Sequence, residues 1–216
     1  MLRPSQPARS RNDANHSTRR TEAKPDRCGS SVQITCCQRV RLAIALLTIS
    51  DSRNLTDDPS GDRLQQQLER AGHLLNERCL CPDDRYIIRA ELSRWIADPA
   101  VDVVITCGGT GLTGRDGTPE AITPLLDKTI DGFGELFRVL SFETIGTSTL
   151  QSRCLAGVAN GTFVFVLPGS LDAVETAWTK LIRSQLDETT RPCNLAQLRS
   201  RLRESATKPV KKESAL

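Results

Sequence analysis

Two stretches of the chain have the residue types and spacing that chemistry on an anionic ligand requires. The first runs from Cys107 to Gly117 and places five glycines in eleven residues, with Thr110 and Thr113 among them and Arg115-Asp116 near its end. Missing Cβ atoms let backbone amides approach a phosphate closely, and the two hydroxyls add donors. The second is Pro168-Gly169-Ser170, a tight loop with Ser170 at the start of a helical pattern. Five glycines exceed what a plain turn needs, so the first loop reads as a binding loop.

The glycine loop is neither of two familiar phosphate cradles. Gly109-x-Gly111-x-x-Gly114 matches the spacing of the dinucleotide fingerprint and follows a strand. There the helix begins within the fingerprint, whereas here Gly117-Thr118-Pro119 delays it, and no acidic ribose ligand follows at the expected distance. A Walker A loop is excluded because no Gly-Lys-Ser/Thr follows the glycines.

A phosphate bound to an acidic domain calls for a bridging Mg²⁺, which takes one or two carboxylates together with substrate oxygens. Asp116 lies in the glycine loop, outside any helical stripe, and reads either as such a carboxylate or as a turn-forming residue. Asp83 follows the end of a strand and reads as a helix N-cap or as a second carboxylate. Asp131 and Glu135 read equally as a solvated helix face. His73, beside Gly72, reads as a surface residue of a helix-to-strand turn. No two of the eight cysteines have Cys-x-x-Cys spacing, so they are expected to be reduced and metal-free, with Cys79 and Cys81 as small buried hydrophobes.

These loops must be carried by alternating strands and helices. Residues 42–49, 73–80, 101–106 and 162–167 read as strands. Helical spacing appears at Leu64, Leu68 and Ala71 after the loop Asp58-Pro59-Ser60-Gly61. It recurs at Ile88, Leu92, Trp95 and Ile96, and at Phe133, Phe137 and Leu140 behind Asp131 as a cap. Another helix is expected from Thr118 as N-cap with Pro119 at its first position, and a long one spans Leu171, Val174, Trp178, Leu181 and Ile182. The pattern predicts a three-layer α/β/α domain with a mostly parallel central sheet. In such sheets ligands bind beyond the carboxyl ends of the strands, where both loops fall.

The chain has 216 residues and a net charge of +3, unevenly spread. Residues 1–39 and 196–216 together hold fourteen Lys/Arg against five Asp/Glu, which leaves the middle net acidic. The expected organisation is a disordered basic N-terminal extension at 1–39, one α/β domain at 40–195 and a basic C-terminal tail at 196–216, with both tails dispensable for folding. The acidic body argues against nucleic-acid binding, and the apolar run at 42–47 is far short of a bilayer span. With no signal-peptide pattern near Met1, the expected location is cytoplasmic.

Taken in order, Thr48-Ile49-Ser50-Asp51, Asp57-Asp58-x-Ser60-Gly61, Gly108-Gly109-Thr110-Gly111, Arg115-Asp116, Thr118-Pro119-Glu120-Ala121, Gly132-Phe133-Gly134-Glu135, Ser152-Arg153 and Leu167-Pro168-Gly169-Ser170 resemble one family. It is that of molybdenum cofactor biosynthesis protein B and molybdopterin adenylyltransferase. The similarity runs over residues 41–195, and residues 133–152 look most like the protein B branch, departing from the adenylyltransferase branch at 148–151. The resemblance implies molybdopterin as ligand, its phosphate against the loop Gly108, Gly109, Thr110 and Gly111. It implies ATP as second substrate, Mg²⁺ held by Asp83 and Asp116 as catalytic carboxylates, and Ser152, Pro168, Gly169, Ser170 and Glu135 in the substrate pocket. It also implies a homotrimer or homohexamer, with Phe133 and Phe142 available for subunit contacts, and other molybdenum cofactor biosynthesis proteins as partners. Two other classes remain: a non-catalytic molybdopterin-binding or carrier paralogue, disfavoured by the retention of both aspartates, and an unrelated nucleotide-binding regulator.

Overall fold

The computed structural model of the protein describes residues 40–203. The expectations for residues 1–39 and 204–216 lie outside the described residues.

Four of the strands are parallel neighbours: β1 (Ala43–Ile49), β2 (Leu74–Cys81), β3 (Val103–Cys107) and β6 (Thr162–Leu167). The three inner ones are apolar on both faces and must be covered on both, whereas the edge strand β2 carries Asn76, Glu77 and Arg78. The sheet has six strands in the order β2-β1-β3-β6-β5-β4. Two strands not anticipated from the sequence, β4 (Lys128–Thr129) and β5 (Leu155–Ala159), extend it antiparallel beyond β6.

Side-chain alternation divides the core into two layers. Ile44, Leu46, Val103, Ile105, Phe163 and Phe165 face α1 (Pro59–Arg70), α4 (Asp131–Ile145) and α5 (Leu171–Thr176), meeting Leu64, Leu68, Phe133, Phe137, Val174 and Trp178. Ala45, Leu47, Val104, Val164 and Val166 face α2 (Arg85–Ala97) and α3 (Thr118–Ile122), meeting Ile88, Leu92, Trp95 and Ile122. The three-layer α/β/α architecture follows. Cys81 is buried in the second layer with Cys79 against it, and burial pushes the Cys81 thiol up to about 12. Among the described residues no helix is long and apolar enough to cross a membrane.

Several local expectations are corrected. α1 starts at Pro59, because Asp58 is its N-cap and accepts from the Gly61 amide at 3.0 Å; Asp58 to Gly61 is a helix start, not a loop before one. Gly117, not Thr118, occupies the cap position of α3. Ile130 precedes α4, with Asp131 inside the first turn. α5 does not continue as regular α-helix but widens into a π turn over Ala177–Ile182. His73 is buried, not on the surface. Its Nδ1 lies 3.4 Å from the Leu42 amide and its ring meets Trp178 edge-on, which ties the start of β2 to β1 and α5. Phe133 is also buried, stacked edge-to-face on Phe165 at 5.2 Å, so it is a core residue and not a spare contact. Packing continues past residue 195: Ala196 is buried and Arg199 pairs with Asp102 at 2.6 Å.

Candidate functional site

All four parallel strands end on the same edge, and the order β2-β1-β3 places the reversal of strand order between β1 and β3. A crevice opens at such a reversal. Here the backbones approach closely: a Cβ on Gly108 would lie 2.1 Å from the Ile49 carbonyl oxygen at the end of β1. Gly108 and Gly109 have φ of +109° and +62°, a left-handed region that other residues enter only with strain. A Cβ on Gly109 would meet Thr118 Oγ1 at 2.2 Å and Asp83 Oδ2 at 2.5 Å, and Gly169 closes against the Gly108 Cα.

The result is a cleft of about 410 Å³ lined by Ser50, Arg53, Gly108 to Gly111, Asp116, Gly169 and Ser170. It therefore unites most of the residues expected at the site. Ser170 also caps α5, accepting from the Ala173 amide at 3.4 Å. Pro168, half-buried, leads into that loop from β6 without lining the cleft. Asp83, Ser152 and Glu135 do not line the cleft; Asp83 lies behind the glycine loop, against Gly109. Ser152 is half-buried with its hydroxyl enclosed, and Glu135 is exposed on α4 beside a separate cavity with Asp131 and Arg138.

The two aspartates differ in environment. Asp84, not Asp83, caps α2, accepting from the Tyr86 and Ile87 amides at 2.9 and 3.0 Å. Asp83 is thereby free to turn to the glycine loop, where its carboxylate accepts from the Gly117 amide at 3.2 Å. Burial pushes the Asp83 carboxyl above its ordinary range, and the Asp116 and Asp51 carboxylates push it the same way. Asp116 accepts from the Thr113 hydroxyl at 2.5 Å and the Thr113 amide at 2.8 Å, and these bonds hold its carboxyl below the usual range. Asp116 thus shapes its loop as well as lining the cleft. Asp51 completes the acidic rim, accepting from the Asp83 amide and pairing with Arg115 at 2.8 Å.

A partly buried carboxylate whose neighbours are also anionic favours a cation. Among the described residues no three or more His, Cys, Asp or Glu are grouped to hold a metal ion. Asp83 and Asp116 fit Mg²⁺ held partly by substrate oxygens, not a closed protein cage.

Three supporting groups stand in the sequence as parts of the family motifs, with no sign of what they do. Arg153 reaches the glycine loop from the start of β5. Its Nε donates to the Gly111 and Thr110 carbonyls at 2.9 and 3.2 Å, its Nη2 donates to the Asp116 carbonyl at 2.9 Å, and it pairs with Glu120. Ser60 Oγ donates to the Gly169 carbonyl at 2.9 Å, tying the start of α1 to the second loop. Asp58 anchors that start: burial alone would raise its carboxyl, but bonds from Thr48, the Gly61 amide and Arg78 outweigh burial and lower it. Arg153→Met is expected to cost about 1 to 2 kcal/mol, because charge-assisted bonds to three carbonyls are lost at a partly exposed site. Thermal denaturation checks this. Arg153→Lys should recover less than half, since an ammonium cannot fork between carbonyls.

A family model described as "Probable molybdopterin binding domain" matches residues 45–188, a span that contains every strand of the sheet but the first two residues of β1. The chain belongs to this family. Over 151 residues it is 54% identical to the molybdenum cofactor biosynthesis protein B of Escherichia coli K12, covering 70% of this chain and 89% of that one. A crystal structure of a molybdenum cofactor biosynthesis protein B is similar with a TM-score of 0.69 at 38% identity, covering 76% of this chain and 96% of that chain. The tungsten cofactor synthesizing protein MoaB of Pyrococcus furiosus is similar with a TM-score of 0.64 at 33% identity, covering 76% and 98%. The family read from the loop motifs is the family matched, and the glycine cleft lies wholly within the matched residues.

Proposed function

We propose that this protein acts in molybdenum cofactor biosynthesis by binding molybdopterin and adenylylating it with Mg-ATP. The observation that carries the reading is the pairing of the glycine cleft with two carboxylates on its loop, Asp83 against Gly109 and Asp116 against Gly111. Backbone amides of Gly109 and Thr110 hold the pterin phosphate, since the Gly108 amide is taken by the Leu167 carbonyl, and Thr110 and Ser170 add hydroxyl donors. Asp83 and Asp116 would hold Mg²⁺, which supplies charge neutralisation to the triphosphate and a template for its orientation.

The transfer is balanced without a protein acid or base. An oxygen of the pterin phosphate attacks the α-phosphorus of ATP, a new P–O–P link forms, the α–β phosphoanhydride bond breaks, and pyrophosphate carries away the electron pair. The chain's contribution is positioning and charge stabilisation: Arg153 and Asp116 keep the glycine loop in shape, and Ser60 fixes the opposing loop. Incubation with molybdopterin and Mg-ATP should give adenylylated pterin detectable by mass. Recovery of unmodified pterin bound to the protein would favour the carrier reading.

The proposal includes assembly into a homotrimer or homohexamer. α4 exposes Leu136, Val139, Phe142 and Ile145, each more than half accessible, and Leu150 follows at 79%. An apolar surface of this kind on a water-facing helix marks an interaction site. Light scattering at micromolar concentration should report a trimer or hexamer; a monomer would contradict it.

A further inference from the structure

Arg53 is the one cation among the described residues that line the glycine cleft, and the chemistry above does not use it. It sits on the loop between β1 and α1 with its side chain 34% exposed. Its backbone amide donates to Ser50 Oγ at 3.2 Å, which fixes where the side chain starts. The guanidinium is only loosely engaged. Nη1 lies 3.4 Å from Ser60 Oγ and 3.8 Å from Asp58 Oδ1.

Asp58 does not depend on Arg53 for its charge. It already takes Thr48 Oγ1 at 2.6 Å, the Gly61 amide at 3.0 Å and Arg78 Nη2 at 2.9 Å. Ser60 meanwhile gives its proton to the Gly169 carbonyl, so toward Arg53 it can only accept, and this links the guanidinium to the wall that carries Ser170. Most of the guanidinium's five N–H donors therefore remain available at a cleft whose other wall is glycine backbone. Such amides offer partial charges, whereas a guanidinium offers a full charge and two parallel donors matched to phosphate oxygens.

We infer that Arg53 binds a phosphate group of the cleft's ligand and makes the site select phosphorylated ligands over dephosphorylated ones. The inference rests on the reading of the glycine cleft as a phosphate site. The phosphate belongs either to the pterin or to the nucleotide, two sources of one chemistry that separate titrations distinguish.

Wild type, Arg53→Met and Arg53→Lys are titrated calorimetrically as full chains with molybdopterin, dephosphorylated molybdopterin and Mg-ATP in turn. Arg53→Met should weaken one of the two phosphorylated ligands by about 10- to 100-fold, the worth of a lost charge-assisted pair, and change the dephosphorylated pterin by less than about twofold. The ligand that weakens identifies whose phosphate Arg53 holds. Arg53→Lys should fall between, because one ammonium keeps the charge and loses the fork. Unchanged affinity of Arg53→Met for both phosphorylated ligands overturns the inference, as does an equal loss for the dephosphorylated pterin, which would mean loop collapse. If Arg53→Met fails to fold, Arg53→Lys carries the same contrast, and wild-type affinities there overturn it. A wild type that binds none of the three ligands removes the phosphate-site reading and this inference together. A wild type that binds normally beside an indifferent Arg53→Met removes the inference alone.

Discussion

Asp116→Asn should release pyrophosphate roughly 10²- to 10³-fold more slowly than wild type while molybdopterin affinity changes by less than about twofold. The substitution removes charge but little volume, and an amide oxygen can still accept from Thr113, whose amide and hydroxyl Asp116 now engages at 2.8 and 2.5 Å. The loop should therefore survive. Pterin phosphate is assigned to backbone amides, which the mutation leaves alone, whereas an interaction that matters mainly as charge moves during transfer affects kcat more than binding. Asp83→Asn should behave alike. Because Asp84 caps α2, Asp83→Asn should not carry the ~1 kcal/mol penalty of a lost helix cap. Its thermal midpoint should match or slightly exceed that of wild type, since the Asp116 and Asp51 carboxylates no longer face a third charge. Equal turnover in wild type and Asp116→Asn would show that Asp116 only shapes its loop.

Gly108→Ala should be among the most damaging single-methyl additions in the domain. The new Cβ would sit 2.1 Å from the Ile49 carbonyl oxygen, and the residue's φ of +109° is unfavourable to alanine whatever space is made. Relief by moving β3's end away from β1 would crowd it against β6, where the Gly108 amide already bonds the Leu167 carbonyl at 3.0 Å. Overpacking and backbone strain together are expected to cost about 3 to 5 kcal/mol, a fall in thermal midpoint of roughly 6 to 20 °C. Pterin binding should be lost with it. Gly114→Ala is the control: a Cβ there meets nothing within 4 Å, and its midpoint should be unchanged. Similar midpoints for the two variants would contradict the close approach of β1 and β3.

The contrast between those two glycines also marks what the sequence could reveal. Five glycines announce a binding loop by composition, but only the fold says that Gly108 is hemmed in by Ile49 and Gly114 by nothing. β1, β3 and β6 were legible because burial on both faces demands unbroken apolar runs. β5 was not, because Leu155–Ala159 is short and includes Gly157. A signal for it was nevertheless present: Asn160-Gly161 joins β5 to β6 as a two-residue hairpin turn, and both residues have positive φ.

His73 was misread because Gly72 marks a turn, and a turn residue beside an apolar strand gives no local sign that its ring is buried against Trp178. At the site, both loops could be read from residue type and spacing, whereas type and spacing left each aspartate with two readings and only the family resemblance assigned them a role. What Arg153 and Ser60 do could not be read, since their carbonyl partners on Gly111 and Gly169 lie 42 and 109 residues away in the chain. Spacing reports neighbours on one element; parallel-sheet sites are assembled from loops far apart in sequence.

On the proposed function, the glycine cleft, with Asp116 in its wall and Asp83 behind its loop, performs transfer as well as binding. Mixing excess wild-type protein with molybdopterin and Mg-ATP and measuring pyrophosphate in a single turnover tests it most directly. One pyrophosphate is expected for each bound pterin, dependent on Mg²⁺ and abolished in the Asp83→Asn, Asp116→Asn double variant. Tight molybdopterin binding with no pyrophosphate in wild type would contradict it.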